Sequence, residues 1–257
     1  LLHGGGIDSA RLSWGLLIPH LAERHRVIAP DFPGFGESEK PDIAYSMHTY
    51  AEFLSAFLDV LNLQRPSLCG LSMGGGVALD FGLAYPGRVS ALVAVDATLD
   101  GFPWTIDWDL RVRERTLEEI RTAWLASELL AWPQRDPAVA AWMAQQVGAY
   151  SGWHWRNRNP HLRPSAPTLG RLAEIQAPTL ALVGEHDHPD FRAIAEILAR
   201  DIPRARLEVL PGVGHLPPME APAATARAVL GFLDQVGAEG LHGPWHFARG
   251  AVDRCEP

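Results

Sequence analysis

The stretch Gly70-Leu71-Ser72-Met73-Gly74 decides how this chain folds. It follows a short apolar run at 66–69, which predicts a buried strand, and leads into a helical pattern at 74–81. A serine at such a strand-to-helix corner is held in a strained backbone conformation, with its hydroxyl above the sheet. Glycine is needed two residues before and two after it, because a Cβ there would collide with the neighbouring strand or helix. The pattern therefore makes Ser72 a candidate nucleophile.

The composition predicts one globular α/β domain with an insertion and narrows the choice of partners. The chain has 257 residues, 47% of them hydrophobic and 20% charged. Its net charge of −8 offers no basic face for phosphates, which argues against a nucleic-acid partner. Cys69 in a predicted buried strand and Cys255 in the tail predict no disulfide. Neither a membrane-spanning apolar run nor a signal-peptide pattern is present, so we expect no membrane partner and a cytoplasmic location.

Strand and helix patterns alternate along most of the chain. Apolar runs predict strands at 26–31, 66–69, 89–95, 179–183 and 206–210, with helical periodicity between them. Such alternation predicts an α/β protein with a mainly parallel, doubly wound sheet. The chain starts with Leu1-Leu2, which resembles the end of a buried strand cut short, so N-terminal strands are predicted to be missing.

The alternation breaks between residues 100 and 168. This stretch has no strand pattern, several prolines and seven of the nine tryptophans. We interpret it as a helical cap, residues 100–168, inserted into a core formed by 1–99 and 169–236. After residue 236 the periodicity is lost, so 237–257 is predicted to be a flexible tail.

A serine nucleophile needs a base to take its proton and an acid to orient that base. His215, in a loop after the last predicted strand, is the candidate base. Asp187, directly after the preceding strand, is the candidate acid. All of these groups fall at the carboxyl ends of strands, where catalytic groups collect in parallel sheets. Other acids nearby stay open as alternatives: Asp96, Glu185 and Asp190.

The negative oxygen of a tetrahedral intermediate needs backbone N–H donors. The amide of Met73, at a helix N-terminus, is one candidate. The glycine-rich loop His3-Gly4-Gly5-Gly6 supplies the other, and we favour Gly5 over Gly4. No metal or other cofactor is predicted, since the adjacent loop residues His186-Asp187-His188 rarely all point at one ion. We expect the substrate pocket to include the following residues, with one or two of the tryptophans lining it: Gly4, Leu71, Trp104, Trp124, Trp153 and Trp155.

Four segments make the chain resemble the α/β-hydrolase-fold serine hydrolases: residues 3–6, 31–38 and 70–74, and the pair Asp187 with His215. The likeness covers about residues 1–235. Within that family the layout is similar to the capped carboxylesterases and to the meta-cleavage-product hydrolases, which break a carbon–carbon bond. The latter usually carry Asn just before the serine, where this chain has Leu71. The family normally has two or three strands ahead of the His-Gly loop.

The resemblance implies a serine hydrolase that needs no cofactor and acts on a small molecule. Its expected substrate is a small to medium carboxylic ester with an apolar or aromatic portion, cleaved through an acyl-enzyme. One alternative is carbon–carbon cleavage of a vinylogous diketone. Another is a ligand receptor that keeps the hydrolase fold and turns over about one ligand. A homodimer is left open.

Overall fold

The structure is a computed structural model that describes residues 1–43, 45–106, 115–153 and 167–242, with side chains as far as residue 238. Within these residues, parallel strands lie side by side in chain order: β1 (Ser67–Leu71), β2 (Ala91–Val95), β3 (Thr179–Gly184) and β4 (Ala205–Leu210). The central strands β2 and β3 are buried along their whole length, as their continuous apolar runs predict. The parallel α/β sheet is thereby confirmed.

Helices cover both faces of this sheet. In chain order they are α1 (Ala10–Trp14), α2 (Ile18–Ala22), α3 (Met47–Val60), α4 (Met73–Ala84), α5 (Leu117–Leu125), α6 (Glu128–Ala131), α7 (Pro137–Gly148), α8 (Pro189–Asp201), α9 (Pro217–Glu220) and α10 (Pro222–His242). Short 3-10 turns span Pro133–Arg135 and Thr168–Glu174. Alternate side chains of β2 enter two separate cores: Leu92 packs with α3, α4 and α8, and Val93 packs with α1, α2 and α10.

The turn from β1 into α4 is very tight. Ser72, between them, has φ 50° and ψ −114°, a conformation that side chains rarely adopt. A Cβ on Gly70 would overlap the backbone of Gly74, and a Cβ on Gly74 would overlap the carbonyl of Leu2. Both glycines are therefore required by close approach of the backbone rather than by flexibility.

The segment between β2 and the turn at 168–174 contains α5, α6 and α7 and no strand in its described residues. Two tryptophans of this segment hydrogen bond to residues of the part that contains the sheet. The indole N–H of Trp142 donates to the Leu12 carbonyl at 3.4 Å, and that of Trp132 donates to the Gly212 carbonyl at 3.1 Å. Val139, Met143 and Val147 of α7 join the second core. We keep the name cap for residues 100–168.

The strand predicted at 26–31 does not form, and this prediction is wrong. Between that segment and β1 the chain offers only Leu1-Leu2, which is too short to pair with both as a ladder. The Leu1 ammonium donates to the Ile28 carbonyl at 2.7 Å, and Leu2 makes a single parallel bridge to Gly70. An extended segment without a continuous partner strand cannot complete a ladder. Strands ahead of Leu1 stay a prediction.

Helix α10 extends farther than predicted. It continues through residue 242, so the predicted tail is wrong for 237–242. Buried Ala226, Val229 and Phe232 anchor its earlier turns, and no proline interrupts it after Pro222. The rest of the predicted tail, 243–257, lies outside the described residues. In the part of the chain that is described, no helix has both the length and the apolar character to cross a membrane.

Two helical glycines should respond in opposite ways to alanine. Gly74→Ala places a methyl group against the backbone of Leu2 and His3, so we expect a loss of about 3 kcal/mol in unfolding free energy, or failure to fold. Gly231→Ala, in α10 with open space around it, should gain about 0.5–1 kcal/mol from helix propensity. Urea unfolding followed by circular dichroism measures both. A Gly74→Ala variant as stable as the wild type would contradict the close approach at this turn.

Candidate active site

A cavity of about 560 Å³ lies above the carboxyl edge of the sheet. Ser72 and His215 both line it, as do Gly4, Gly5, Leu71 and Met73. Ser72 comes from the turn after β1, and His215 from the loop between β4 and α9. The fold thus brings residues far apart in sequence to one wall of the same cavity.

Asp187 and His215 are directly hydrogen bonded. The carboxylate Oδ2 of Asp187 accepts from Nδ1 of His215 at 2.9 Å, and both residues are buried, at 5% exposure each. Its Oδ1 accepts from the His188 amide at 2.6 Å, which fixes the carboxylate plane. Because a carboxylate can only accept, the proton in this bond belongs to Nδ1, and Nε2 is the basic nitrogen of the ring.

Glu220, which the sequence analysis missed, holds the loop that carries His215. Its two carboxylate oxygens accept from the amides of Gly214 at 2.8 Å and Leu216 at 2.7 Å, on either side of the histidine. Burial raises the pKa of Glu220, and these amide hydrogen bonds act in the opposite direction. The ring of His215 also packs on Phe191, with centroids 4.3 Å apart. The sequence signal that could have identified Glu220 is its position as an acidic residue at the end of the short Pro-rich turn after His215.

The glycine loop at residues 3–6 lies against the start of α4. A Cβ on Gly5 would sit 3.4 Å from Cβ of Met73, so the two candidate oxyanion donors are neighbours. The amide of Gly4 donates to the Ser13 hydroxyl at 3.2 Å, and Nδ1 of His3 donates to the Gly4 carbonyl at 2.7 Å. Met73 begins α4, where the first N–H groups have no partner within the helix. This geometry favours Gly5 over Gly4 as the second donor.

Asp8 is a buried carboxyl in the cavity wall that the sequence analysis also missed. Its Oδ2 accepts from the Ser13 hydroxyl at 2.8 Å and its Oδ1 from the Ser9 amide at 2.6 Å. Burial raises the pKa of Asp8 from 3.8 to about 7, with a smaller contribution from the negative charge of Asp31, although its hydrogen bonds lower it. A group of ordinary acidity thus titrates close to neutrality beside the glycine loop.

The other acids near Asp187 have different partners. Asp190 accepts from the amides of Thr105 and Ile106, at 2.7 and 3.1 Å, and anchors the start of the cap. Glu185 accepts from the Gly212 amide at 2.8 Å. Asp96 is fully buried beside Asp187 and does not bond to His215.

The histidines that flank Asp187 also go to different partners. The ring of His186 stacks on Trp132, and His188 accepts from the Asp190 amide through Nδ1.

Two of the four predicted cap tryptophans line the cavity, Trp104 and Trp124. Trp153 instead packs edge-on against Tyr45, with ring centroids 5.7 Å apart, and Tyr45 itself lines the cavity. Trp155 lies outside the described residues. Several further wall residues were not predicted from the sequence, among them Tyr45, Met47, Tyr50, Asp80, Thr98 and Thr168. Met47 and Tyr50 share one face of α3, which their helical spacing could have indicated.

Asp8→Asn should change how stability depends on pH. Above about pH 4 the unfolded chain has released this proton, whereas the folded chain holds it until about pH 7. Folding therefore becomes less favourable as the pH rises through this range, and the asparagine variant escapes that loss. We expect the variant to gain up to about 4 kcal/mol on the wild type between pH 4 and pH 7.5, measured by urea unfolding. The control is Asp201→Asn, at a half-buried position where the Arg200 guanidinium lowers the pKa of the carboxyl, and it should show no such gain. Parallel curves for Asp8→Asn and the wild type would rule out the raised pKa.

Comparison with known proteins identifies the fold family of the chain. A family model described as the alpha/beta hydrolase fold matches residues 1–222. A 2-hydroxymuconate semialdehyde hydrolase of Pseudomonas sp. (strain CF600) is 28% identical, over 94% of this chain and 88% of its own. The solved structure of a thermophilic esterase from Thermogutta terrifontis superposes with a TM-score of 0.78 at 28% identity, over 91% of this chain and 89% of that one.

An enol-lactonase from Burkholderia xenovorans LB400 shares the fold, with a TM-score of 0.78 at 23% identity over 91% of this chain and 90% of its own. The likeness to these proteins extends over nearly the whole described sheet and its helices. Because the family model spans most of its residues, this chain belongs to the alpha/beta hydrolase fold family.

Proposed function

We propose that the protein is a serine hydrolase that cleaves small to medium carboxylic esters with an apolar or aromatic portion through an acyl-enzyme. The observation that carries the proposal is the buried 2.9 Å bond from Asp187 to His215, which lines the same cavity as Ser72. The strained φ of 50° at Ser72 adds support, because such strain concentrates at functional sites.

In the proposed reaction, Oγ of Ser72 attacks the ester carbonyl carbon while Nε2 of His215 takes the hydroxyl proton. Asp187 stabilises the resulting imidazolium. When the tetrahedral intermediate collapses, the carbon–oxygen bond breaks and His215 returns the proton to the leaving alcohol. A water molecule, deprotonated by His215, then attacks the acyl-enzyme. As the bond between the acyl carbon and Oγ breaks, His215 returns that proton to Oγ, which releases the acid and regenerates Ser72.

The amides of Gly5 and Met73 would hold the oxyanion in both halves of the reaction. Donors of this kind are fixed before the reaction starts, so they stabilise the developing charge without reorganising. Each is worth roughly 3 kcal/mol of transition-state stabilisation in comparable sites. The proximity of Gly5 to Met73 and the engagement of the Gly4 amide by Ser13 support this pairing.

The character of the cavity favours a neutral ester. Most of its described wall is apolar, including Leu71, Trp104 and Trp124. In that described wall the carboxyls are Asp8, Asp80 and Asp100, with no Lys or Arg among them. A carboxylate on the substrate would be repelled by these groups wherever they are ionised.

Carbon–carbon bond hydrolysis is the second candidate. Two relatives favour it by name: the 2-hydroxymuconate semialdehyde hydrolase already described, and a 2-hydroxy-6-oxo-2,4-heptadienoate hydrolase from Pseudomonas putida, which is 38% identical over 41% of this chain. Both substrate names denote ring-fission products with conjugated oxo groups. The same Ser72, His215 and Asp187 would serve, but the acidic wall and Leu71 count against it. Comparing kcat/KM for p-nitrophenyl butyrate and for a ring-fission dienoate separates the two candidates.

Replacing the nucleophile gives the direct test of the proposal. We expect multiple turnovers of p-nitrophenyl acetate and butyrate by the wild type, and a drop of at least about 10³-fold in kcat for Ser72→Ala. The control is Ser38→Ala, whose hydroxyl donates to the Asp31 carbonyl outside the cavity wall and which should keep full activity.

Product release beyond one equivalent of enzyme distinguishes the enzyme from a receptor. A burst that stops near one equivalent in the wild type would favour the ligand-receptor alternative. Undiminished turnover by Ser72→Ala would overturn the proposed nucleophile.

A further inference from the structure

Asp96 is a buried carboxyl for which the proposed reaction has no use. It follows β2 directly, is fully buried, and has a positive φ of 42°. Its amide donates to the Leu182 carbonyl at 2.8 Å, and its Oδ1 accepts from the Gly184 amide at 3.0 Å. These bonds fix Asp96 against the end of β3, from which the chain leads to Asp187 three residues later.

The second oxygen of Asp96 is in an unusual position. Within the described structure, Oδ2 is buried and has no hydrogen-bond partner of normal geometry. One carboxyl oxygen of Asp96, one of Asp187 and one ring nitrogen of His215 all lie within 4.8 Å of one another. Two buried carboxyl groups therefore lie close to each other and to the histidine.

Two carboxyl groups this close, away from water, cannot both be ionised. Asp187 accepts from two N–H donors, the His188 amide and His215 Nδ1, and these stabilise its negative form. Among the described residues, the N–H donor to Asp96 is the Gly184 amide. The charge therefore belongs on Asp187 and the proton on Asp96.

We propose that Asp96 is a neutral, protonated positioning residue. Its O–H at Oδ2 faces the carboxylate of Asp187 while its Oδ1 holds the Gly184 amide, so that Asp187 alone presents negative charge to His215. This inference rests on the proposed function, in which Asp187 orients His215.

The ionisable groups around Asp96 favour the neutral, protonated form of its carboxyl. Burial and the negative charge of Asp187 raise the pKa of Asp96 well above its usual range, and Glu220 acts in the same direction. The third ionisable side chain in the cluster of Asp96, Asp187 and His215 is the imidazole of His215. A donor at Asp96 also disperses the charge of Asp187, which limits how strongly Asp187 favours the imidazolium form of His215.

An asparagine at position 96 should reproduce the protonated acid. In Asp96→Asn the amide N–H would replace the O–H toward Asp187, and the amide oxygen would accept from Gly184. We expect kcat/KM for p-nitrophenyl butyrate within about threefold of the wild type and an unchanged acid limb of its pH profile. The matched variant Asp187→Asn should lose about 10³- to 10⁴-fold, because it removes the charge that His215 requires. A loss of that size in Asp96→Asn would overturn the inference and make Asp96 the ionised acid.

Removing the donor tests the positioning role. In Asp96→Ala, Asp187 loses the proposed O–H donor that disperses its charge, so Asp187 should hold the protonated ring of His215 more strongly. We expect the acid limb of kcat/KM to move to higher pH, an effect that a purely structural defect would not produce. An acid limb that stays in place in Asp96→Ala would contradict the proposal.

Unfolding measurements decide the charge state without any substrate. A folded chain that keeps a proton on Asp96 loses stability relative to Asp96→Asn as the pH rises above about 4, where the unfolded aspartate ionises. The melting temperature of Asp96→Asn should therefore exceed that of the wild type at pH 8 but not at pH 4. Parallel melting temperatures, or failure of Asp96→Asn to fold, would overturn the inference. If the wild type turns over no ester, the proposed function fails, and the melting comparison still decides the state of Asp96.

Discussion

The contact between the start of α4 and the backbone of Leu2 and His3 is the constraint on which the site depends. Gly74 permits it because it has no side chain, and Gly70 permits the matching approach from β1. The chain must then turn within one residue, and Ser72 takes the strained conformation at that turn. The same contact sets the glycine loop beside α4, so that Gly5 neighbours Met73. The placement of the proposed nucleophile and of the proposed oxyanion donors thus follows from one packing requirement.

Charge burial is the second organising feature. Asp187, Asp96, Glu220 and Asp8 are buried or largely buried around or near the cavity, and each accepts from backbone amides or hydroxyls. Amide donors replace part of the lost hydration but supply no positive charge. Ionisation of one of these carboxyls therefore makes ionisation of a neighbouring one less favourable. In the proposed arrangement, one ionised carboxylate lies beside His215 and the other acids are neutral or distant. Such a site suits a base that must accept a proton repeatedly. Stability and pH response are therefore linked to the catalytic geometry.

The sequence predicts best where one local rule dominates. The continuous apolar runs of β2 and β3 predict buried strands, and the glycine spacing at 70–74 predicts the tight turn. The proximity of Asp187 and His215 could be predicted from their positions after strands, because parallel topology brings strand ends together. The failures depend on tertiary partners. Residues 26–31 have a strand pattern, but in the described structure their contact toward β1 runs through Leu1-Leu2, which forms no continuous ladder. Only packing decides that Trp104 and Trp124 face the cavity while Trp153 meets Tyr45. Asp8 and Glu220 act through buried hydrogen bonds that no local pattern reveals.

If this fold activates Ser72 as a nucleophile, a serine-directed reagent should label that residue covalently. Intact-mass and peptide mass spectrometry after exposure to an alkyl fluorophosphonate should show one adduct, on the peptide that contains Ser72. The rate of labelling should fall by at least about 10²-fold in His215→Ala, because the hydroxyl then lacks its base. No adduct on folded protein, or an adduct on another serine, would contradict the account.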